Sequence, residues 1–575
     1  MAEQTQWDHE YDVVVVGSGN GALTSAIVAH DGGAKVLIVE KAPVFGGTSA
    51  SSGGGVWIPN NRYAKAAGAE DSPEDARAYL QHVSPDGKIR SELLDTYVEQ
   101  GPKMIDYLHN NTNWVRYSSL EHYPDYFPEA PGGRSGHRSM EPEVLHAKQL
   151  GDDFEHVGAA HPQTQMPGGV SFTQVEGQIV LAALPGWIKM SAGLVLKYLL
   201  DFPLRFKTKR DGRLTMGPAG VARLFLSCKD RNIPLWLESP MQELIEENGR
   251  VIGCTIRRDG KSLRIKANKG VILAAGGFER NQQMREKYLP NPTKTDWSAA
   301  NLYNTGDAIR AAMDKGAATH QMDWAWWFTT AVIPGKVKAH MSQIEKGLPG
   351  CMTVNINGQR FSNESQNYVT FVDDMLRQTE NGNPCVPAYM IFDADFRAKR
   401  PVASALLQSS MMPDWAVPKA WWTPSFLSKA DTLEELAGII GIDANGLLET
   451  QKKFNEFAKN GKDLDFQRGD SNYDRYYADP ECKPNPCLAP IAKAPFYAVA
   501  LYTGEMGTAG GLVINTNGQV EREDGSTIDG LYACGNTTTA LLPSYPGPGA
   551  TLGPAMVFGY LAGKHISGQA VSAQS

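Results

Sequence analysis

Residues 11–40 read YDVVVVGSGNGALTSAIVAHDGGAKVLIVE, and this stretch decides the fold. An apolar run at 11–16 predicts a strand, a helical pattern follows at 22–30, and a second apolar run ends at Glu40. The small residues of GSGNGA permit a tight turn and bring backbone amides close to a pyrophosphate at the helix N-terminus. Strand, glycine turn, helix and strand in this order predict a dinucleotide-binding βαβ unit.

Glu40 ends the second strand, 23 residues after Gly17, where a carboxylate can accept hydrogen bonds from a ribose diol. The motif alone does not decide whether the bound dinucleotide is NAD or FAD. The polar, glycine-rich loop FGGTSASSGGG at 45–55 favours FAD, because it can line the pyrophosphate and flavin of an extended dinucleotide. A second glycine-rich region follows GLYACGN at 530–536, and there a helix opening near Leu552 would stabilise negative charge on a reduced flavin.

Two further apolar segments, VILAAGGF at 271–278 and DGLYACGN at 529–536, predict strands far along the chain. We therefore expect an open α/β sheet assembled from distant parts of the sequence, with the middle of the chain forming another domain. The predicted domains are an FAD-binding domain, residues 1–299 and 488–575, and a catalytic domain, residues 300–487.

The middle of the chain is mixed α+β in pattern. Its clearest helix is predicted over 443–461, with Asp443 as the cap and Gly461 as the end. The proline-rich stretch PECKPNPCLAP at 480–490 is typical of a linker. The predicted fold class is an α/β FAD-binding domain, Rossmann-like and discontinuous, plus an inserted α+β catalytic domain.

Composition excludes several classes of protein. The chain has 55 basic and 63 acidic side chains, a net charge of −8 that argues against a nucleic-acid binder. Its seven cysteines are too sparse for a disulfide framework, and Cys482 and Cys487 lack metal-ligand spacing, so no metal is expected. The polar N-terminus shows no signal peptide, and no uncharged stretch reaches the roughly 18 residues of a transmembrane helix. A cytoplasmic location is expected.

Five motifs resemble those of the fumarate reductase-like FAD flavoproteins, and more closely those of the 3-ketosteroid Δ1-dehydrogenases. They are GSGNGA, FGGTSASSGGG, LAAGGFERN at 273–281, INGQRFSNES at 356–365 and SYPGPGATLGPAM at 544–556. The last is the most specific, and the likeness covers nearly the whole chain. In the covalent-flavin succinate dehydrogenase branch a His follows the ribose-binding acid, and the matching position here is Gly47. The resemblance therefore implies non-covalent FAD.

Together the glycine loops and this resemblance give a set of expected FAD-binding residues. They are Gly17, Ser18, Gly19, Gly21, Ala22, Glu40, Lys41, Gly47, Thr48, Ser49, Ser52, Gly53, Gly54, Gly276, Gly277, Gly535, Asn536, Ala550 and Leu552.

Desaturation of a ketone needs a base for the α proton, an acceptor for the β hydride and donors that hold the carbonyl oxygen. The resemblance implies that Tyr545 and the Gly549 N–H hold the carbonyl and that Tyr368 is the base, where fumarate reductases carry an arginine. A phenol titrates near ~10 and needs help to act near neutrality. Tyr126 is the expected partner of the base, and Tyr123 is the alternative.

The predicted activity is FAD-dependent 1,2-desaturation of a 3-ketosteroid, in which Tyr368 removes a C2 proton as the C1 hydride passes to flavin N5. A quinone or dye-like external acceptor would reoxidise the flavin. A related Δ4-(5α)-3-ketosteroid dehydrogenase is the alternative, followed by a fumarate reductase-like enzyme and a non-enzymatic FAD-binding protein. The aromatic clusters at 324–328 and 411–415 are more typical of a protein core and are not assigned to the site.

Residues 187–213 form a basic, amphipathic stretch that the catalytic chemistry does not need. Seven Lys and Arg against two Asp give it +5, so the rest of the chain carries −13. Ile188, Ala192, Val195 and Leu199 fall on one helical face. The segment, within an insertion near 180–215, either lies in the interface of an anionic membrane as a peripheral contact or packs on its own domain with a solvated basic loop.

Overall fold

The computed structural model describes residues 6–84, 90–181, 184–403, 405–542 and 544–569. Within these residues the chain builds two large sheets and several small ones. The larger sheet, called here the first sheet, has eight strands among the described residues. Its path runs through Leu235–Trp236, Val36–Val39, His9–Val16, Lys261–Leu273, Arg250–Arg258, Thr527–Ala533 and Gln519–Glu521, with Met241–Glu247 paired beside Arg250–Arg258.

The centre of the first sheet is parallel and comes from distant parts of the chain, as predicted. His9–Val16 pairs in parallel with Val36–Val39 on one side and with Lys261–Leu273 on the other. The end of Lys261–Leu273 then pairs in parallel with Thr527–Ala533. Val13 to Val16 are all buried, because both faces of a parallel sheet are covered in an α/β fold. The α/β fold class is confirmed.

One predicted strand ends earlier in the structure than its apolar pattern predicts. The segment 271–278 was expected to be extended throughout, but the strand begins at Lys261 and ends at Leu273. Gly276 beyond it has φ +78°, a left-handed conformation that cannot continue a strand. The chain therefore leaves the sheet earlier than its apolar pattern indicates, and residues 274–276 turn into a loop.

The helix Asn20–Asp31 packs backbone to backbone against a second helix, Leu552–Ile566. A Cβ atom added at Gly559 would lie 2.4 Å from the carbonyl oxygen of Gly21. A Cβ added at Gly563 would likewise lie 2.7 Å from the carbonyl oxygen of Ser25. No side chain fits at either point, so the glycines allow the two helices to approach closely.

The second sheet is antiparallel. Among the described residues its path runs through His340–Met341, Ala325–Ala331, Phe496–Thr508, Ala388–Phe392 and Cys351–Val354, with Leu427–Ala430 also paired to Phe496–Thr508. The predicted FAD-binding segment 488–575 includes Phe496–Thr508. In the structure this strand pairs within the second sheet and not within the first. A small sheet beside the cavity joins Val56–Trp57, Ser139–Pro142 and Tyr117–Ser119.

The remaining α-helices surround these sheets. The helix predicted over 443–461 runs from Ala444 to Asn460, with the Asp443 side chain as its N-cap and Gly461 in a left-handed conformation at its end. The other helices are Gly47–Ser51, Arg62–Ala66, Pro73–Val83, Ser91–Asn111, Gln174–Leu181, Trp187–Leu200, Phe202–Arg205, Met216–Lys229, Gln282–Tyr288, Asp307–Met313, Tyr368–Glu380, Ala394–Lys399, Leu433–Ile440 and Asn472–Tyr476. None of the helices in the described ranges has the length and apolar character needed to cross a bilayer.

We predict that Gly559→Ala lowers the free energy of unfolding by about 1–3 kcal/mol, because the new methyl group is forced against the Gly21 carbonyl. Thermal and urea unfolding of the purified protein would measure the loss. Gly438→Ala is the matched control: Gly438 also lies inside a helix, but nothing is within 4 Å of its added Cβ. Alanine there should stabilise by about 0.5–1 kcal/mol, since it favours helix over glycine. Equal effects of the two substitutions would contradict the proposed close contact.

Candidate active site

One large cavity lies where the parallel strands of the first sheet end and the second sheet begins. Its wall includes Val16, Val39 and Ala274, which end or follow three of those strands, and Trp326 and Phe328 from the second sheet. Ligands of open α/β sheets bind at the carboxyl ends of the strands. The cavity is therefore where the glycine motifs predict a dinucleotide.

The wall includes all but two of the expected cofactor residues. The exceptions are Gly277 and Ala550. A Cβ at Gly277 would lie 2.0 Å from Thr508 Oγ1, so this residue packs against the second sheet behind the cavity wall. Ala550 has no exposed surface, and its N–H donates to the Gly547 carbonyl within its own loop.

The first βα turn has the features of a phosphate site. Asn20 begins the helix and lines the cavity, and its buried Oδ1 atom has no hydrogen-bond partner among the described residues. Its N–H donates to Ser49 Oγ at 3.2 Å, so the polar loop 45–55 lies directly on the helix N-terminus. The helix Leu552–Ile566 also begins at the cavity, through Leu552. Two helix N-termini and a polar loop fit an anionic, extended dinucleotide.

Glu40 lies at the cavity edge and is nearly buried. Its carboxylate accepts hydrogen bonds from the Ser18 hydroxyl and, at 2.9 Å, from the Ala42 N–H. Burial raises the pKa of Glu40, while these hydrogen bonds and Lys41 oppose the increase. Lys41 Nζ is 2.6 Å from Asp307 Oδ2, a contact that the sequence analysis did not find.

The sequence motifs also did not predict a row of buried, hydrogen-bonded side chains that contacts the loop 45–55. Asn304 Nδ2 donates to Thr48 Oγ1 at 3.1 Å and to Glu279 Oε1 at 2.7 Å. Burial and the nearby Glu505 raise the pKa of Glu279 to about 7, although hydrogen bonds from Asn304 and the Thr508 N–H oppose the increase. Glu279 lies in the LAAGGFERN motif, where an acid in the loop after a buried strand was an available signal. Asn304 had no local signal, because it reaches the loop only through the fold.

Three predicted catalytic tyrosines meet in the cavity wall. The Tyr126 hydroxyl donates to the Tyr368 oxygen at 2.8 Å. The ring centroid of Tyr545 is 5.6 Å from those of both Tyr126 and Tyr368. Gly549 lines the same cavity four residues after Tyr545. Side chains and a loop from three distant parts of the chain thus meet in one part of the cavity.

Tyr123, the alternative partner of the base, occupies a different place. Its hydroxyl accepts from the Tyr477 hydroxyl at 2.7 Å, and its ring stacks on Tyr476. Tyr126, and not Tyr123, is the residue whose hydroxyl contacts Tyr368.

The Tyr368 side chain is positioned from both sides. Tyr368 is the first residue of the helix Tyr368–Glu380, which Asn367 caps by accepting from the Thr370 N–H. The preceding loop is fixed by Glu364, which is fully buried and paired with both Arg360 and Arg468. On its open face the Tyr368 ring stacks on Phe328, with centroids 3.7 Å apart.

Tyr126 is positioned by a buried ion pair at the preceding residue. Asp125 Oδ2 accepts from Arg138 at 2.9 Å, and its Oδ1 accepts from the Trp57 indole at 2.8 Å. The Tyr126 N–H donates to the Pro546 carbonyl, which ties this loop to the one that carries Tyr545. Tyr545 itself has φ +52°, a conformation rare for a non-glycine residue and common at functional sites.

Burial raises the pKa of each of these phenols. The pKa values of Tyr126 and Tyr368 lie well above the ordinary value of 10, and that of Tyr545 is raised less because Tyr368, Thr551 and Gly549 donate to it. Near neutral pH all three side chains are therefore neutral, and Tyr545 presents a hydroxyl group that can donate to a ligand oxygen.

The apolar wall includes residues that the sequence analysis did not assign to the site. Trp326 and Phe328 alternate along the strand Ala325–Ala331 and both line the cavity, while Trp327 between them does not. The period of two in a strand was the signal that could have separated them. Met411 and Trp415 of the second aromatic cluster are exposed and are not part of the wall.

The comparisons with known proteins agree with this geometry. A family model described as an FAD binding domain matches residues 12–552. The 3-oxosteroid 1-dehydrogenase of Mycobacterium tuberculosis (strain ATCC 25618 / H37Rv) is 39% identical and covers 98% of this chain and 99% of its own. That of Comamonas testosteroni is 38% identical, with 98% and 96% covered. The 3-ketosteroid Δ1-dehydrogenase from Sterolibacterium denitrificans, solved with 1,4-androstadiene-3,17-dione, matches with TM-score 0.93 and 43% identity over 97% of this chain and all of its own.

Fold and cavity define an FAD-binding oxidoreductase, whose cofactor would be held by the first βα turn, the loop 45–55 and the N-terminus of Leu552–Ile566. Within that class, the chain belongs to the 3-oxosteroid 1-dehydrogenase family. The resemblance drawn from the five sequence motifs is confirmed, and so is FAD as the cofactor.

We predict that Asp125→Asn destabilises the protein by about 1–3 kcal/mol, because the amide has one acceptor oxygen and cannot accept from both Arg138 and Trp57, although Arg138 keeps its ion pair with Asp71. Urea unfolding would measure the change. Asp395→Asn is the control, since the Asp395–Lys493 pair is exposed and should contribute less than about 1 kcal/mol. A small, equal effect of both substitutions would show that the pair does not fix the Tyr126 loop.

Proposed function

We propose that this protein catalyses the FAD-dependent 1,2-desaturation of 3-ketosteroids, with Tyr368 as the proton-abstracting base. The observation that carries this assignment is the Tyr126–Tyr368 hydroxyl pair beside Tyr545, in the same cavity as the dinucleotide loops. Bound FAD supplies the hydride acceptor at N5. The chain's own residues must then remove one proton and hold one oxygen.

The carbonyl oxygen is held by Tyr545 and Gly549. Tyr545 and Gly549 belong to one loop and both line the cavity, which supports their assignment as donors to one ligand oxygen. A ketone oxygen placed there would accept two hydrogen bonds, which strengthen as the ketone becomes enolate-like. Tyr545 is neutral near pH 7 because burial raises its pKa, and only the neutral phenol can donate.

The proton leaves C2 toward Tyr368. Since the pKa of Tyr368 is far above neutrality, the side chain works best when its own proton moves on as it accepts another. The Tyr126 oxygen, 2.8 Å from the Tyr368 oxygen, accepts that proton once the Tyr126 hydroxyl has turned its own hydrogen away, since a hydroxyl is both donor and acceptor. Trp326 and Phe328 cover this part of the cavity with apolar surface, which suits a fused-ring ketone and excludes water from the enolate.

Two further assignments, the attachment of FAD and the electron acceptor, belong to this proposed function. FAD is bound non-covalently, because Gly47 offers no side chain to attack the flavin at the position of the covalent His. A quinone or dye-like external molecule takes the electrons from the reduced flavin.

We predict that a 3-ketosteroid added under anaerobic conditions bleaches the flavin absorbance band of the wild-type protein. Tyr368→Phe should slow this bleaching about 10²–10⁴-fold. Stopped-flow absorbance would give the rate, and chromatography would identify the 1,2-dehydro product. Tyr288→Phe is a matched control in the same chain, because Tyr288 lies outside the cavity wall. Bleaching of Tyr368→Phe at the wild-type rate would remove Tyr368 as the base.

We further propose that residues 187–209 contact an anionic membrane surface. The helices Trp187–Leu200 and Phe202–Arg205 carry an exposed apolar surface formed by Ile188, Leu196, Leu199, Leu200, Phe202 and Phe206, each more than half exposed. Such a patch on a protein surface marks an interaction site. Lys197, Lys207 and Lys209 are exposed around it and match the charge of anionic lipid.

The position of this exposed apolar surface relative to the cavity supports the membrane contact. Leu194 on the opposite side of the helix is buried and packs in one cluster with Phe172, which lines the cavity. An apolar substrate dissolved in the bilayer would thus enter close to the site. Arg205 and Arg210 do not belong to the basic rim, because they stack on Tyr198 and Phe154 within the protein.

We predict that the protein co-sediments with vesicles containing anionic lipid, and that binding falls with salt. Lys207→Ser with Lys209→Ser should weaken binding about 10-fold or more, since each lysine near such a surface contributes about 1 kcal/mol. Lys452→Ser with Lys459→Ser makes the same charge change on the exposed face of Ala444–Asn460 and should have little effect. Protein left in the supernatant at low salt would refute the membrane contact.

A further inference from the structure

A fully buried carboxylate, Glu279, lies one side chain behind the wall of the cavity. Glu279 Oε1 accepts from Asn304 Nδ2 at 2.7 Å, and the same nitrogen donates to Thr48 Oγ1 at 3.1 Å. Asn304 and Thr48 line the cavity, whereas Glu279 is not part of its wall. These three residues are called here the polar row. The desaturation chemistry uses none of them.

The charged groups packed around the Glu279 carboxylate are engaged elsewhere. Arg285 pairs with Glu505 at 2.9 Å and donates to the Glu279 backbone carbonyl at 3.0 Å. Arg280 donates to backbone carbonyls of a neighbouring loop. Within the described part of the chain the Glu279 carboxylate forms no ion pair, and its closest donor is the Asn304 amide. Because a buried carboxylate is costly without hydrogen bonds, this contact with Asn304 is needed.

Glu279 fixes the orientation of the Asn304 amide. An ionised carboxylate only accepts hydrogen bonds, so it requires the nitrogen end of the amide, since the reversed amide would place Asn304 Oδ1 against a negative charge. One amide hydrogen then points to Glu279 and the other to Thr48. Thr48 therefore receives a hydrogen bond whose direction is set by a residue that it does not contact.

The Thr48 hydroxyl is left with only its hydrogen to offer. Its oxygen accepts from Asn304 Nδ2 and, at 3.3 Å, from the Asn301 N–H, which occupies both lone pairs. Among the described residues the hydroxyl donates to no acceptor. Thr48 lines the cavity next to Ser49, whose hydroxyl contacts the N-terminus of the helix Asn20–Asp31 where a phosphate is expected.

We propose that Glu279 and Asn304 are positioning residues that direct the Thr48 hydroxyl toward an acceptor oxygen of bound FAD and so set how tightly FAD is retained. The proposal rests on the proposed function only in the non-covalent attachment of FAD. Thr48 contacts the cofactor, and the other two residues act through it.

Protonation of Glu279 reverses this arrangement. Burial and the nearby Glu505 raise the pKa of Glu279 to about 7, while hydrogen bonds from Asn304 and the Thr508 N–H oppose the increase. A protonated carboxyl group has a hydrogen to donate, so the amide turns and Asn304 Oδ1 accepts from both Glu279 and Thr48. The Thr48 hydrogen then leaves the cofactor, and FAD release becomes faster as the pH falls through about 7.

The test is the rate of FAD release from the holoenzyme, followed after dilution by the fluorescence of free FAD, from about pH 6 to about pH 8.5. Wild-type release should be about 10-fold faster at the low end, because one hydrogen bond to an anionic ligand is lost. Glu279→Gln, whose neutral amide lets Asn304 turn, should release FAD at the fast rate throughout. Thr48→Val should do the same, whereas Thr48→Ser keeps the hydroxyl and should keep the pH dependence.

Glu141→Gln is the matched control. Burial also raises the pKa of Glu141 to about 7, but its carboxylate accepts from the Gln174 N–H at 2.7 Å and lies outside the polar row. A merely structural role of Glu279 would speed release at every pH without removing the pH dependence. A pH dependence that is lost in Glu141→Gln, or retained in Glu279→Gln, would overturn the proposal.

Asn304→Ala breaks the polar row from the side of the cavity and covers the case in which Glu279→Gln does not accumulate as holoenzyme. It should show fast release that does not vary with pH, and a wild-type profile would overturn the proposal equally. Flavin that stays on the denatured wild-type chain would refute non-covalent attachment and this proposal with it. The expected release profile in a protein that does not desaturate a 3-ketosteroid would refute the activity alone, so the failures are distinguishable.

Discussion

The close contact between the helices Asn20–Asp31 and Leu552–Ile566 is the constraint on which the rest of the molecule depends. At Gly559 the neighbouring backbone occupies the space that any side chain would need. This contact sets the phosphate-binding turn beside the loop that carries Tyr545 and Gly549. Cofactor site and carbonyl site are therefore positioned by one packing interaction, and neither loop could be moved without shifting the other.

The hydroxyls proposed to be catalytic come from three separated parts of the chain, and buried ion pairs fix two of these parts. Asp125 with Arg138 fixes the loop of Tyr126, and Glu364 with two arginines fixes that of Tyr368. Buried charges lose their hydration and are retained only where each has partners in good geometry. Here the buried ion pairs orient the loops that carry the hydroxyl groups, because hydroxyl groups within hydrogen-bonding distance tolerate little displacement.

The sequence predicted the parts of the fold that local pattern determines. The βαβ unit, the cap and end of the helix Ala444–Asn460, and the start of Leu552–Ile566 all follow from short-range chemistry. The end of the strand at Leu273 does not follow from short-range chemistry. Ala274 and Ala275 are as apolar as the strand, and only the conformation of Gly276 ends it. The pairing of Phe496–Thr508 with Ala325–Ala331 and the Asn304–Thr48 hydrogen bond join residues that are far apart in the sequence, and no local pattern encodes them.

The split first sheet also has a consequence for biosynthesis. The strand Thr527–Ala533 and the helix Leu552–Ile566 leave the ribosome long after the βαβ unit that they complete. Until then the end of the strand Lys261–Leu273 and one face of Asn20–Asp31 lack their partners, so the nascent chain exposes apolar surface that favours aggregation. Flavin loading must await these late segments.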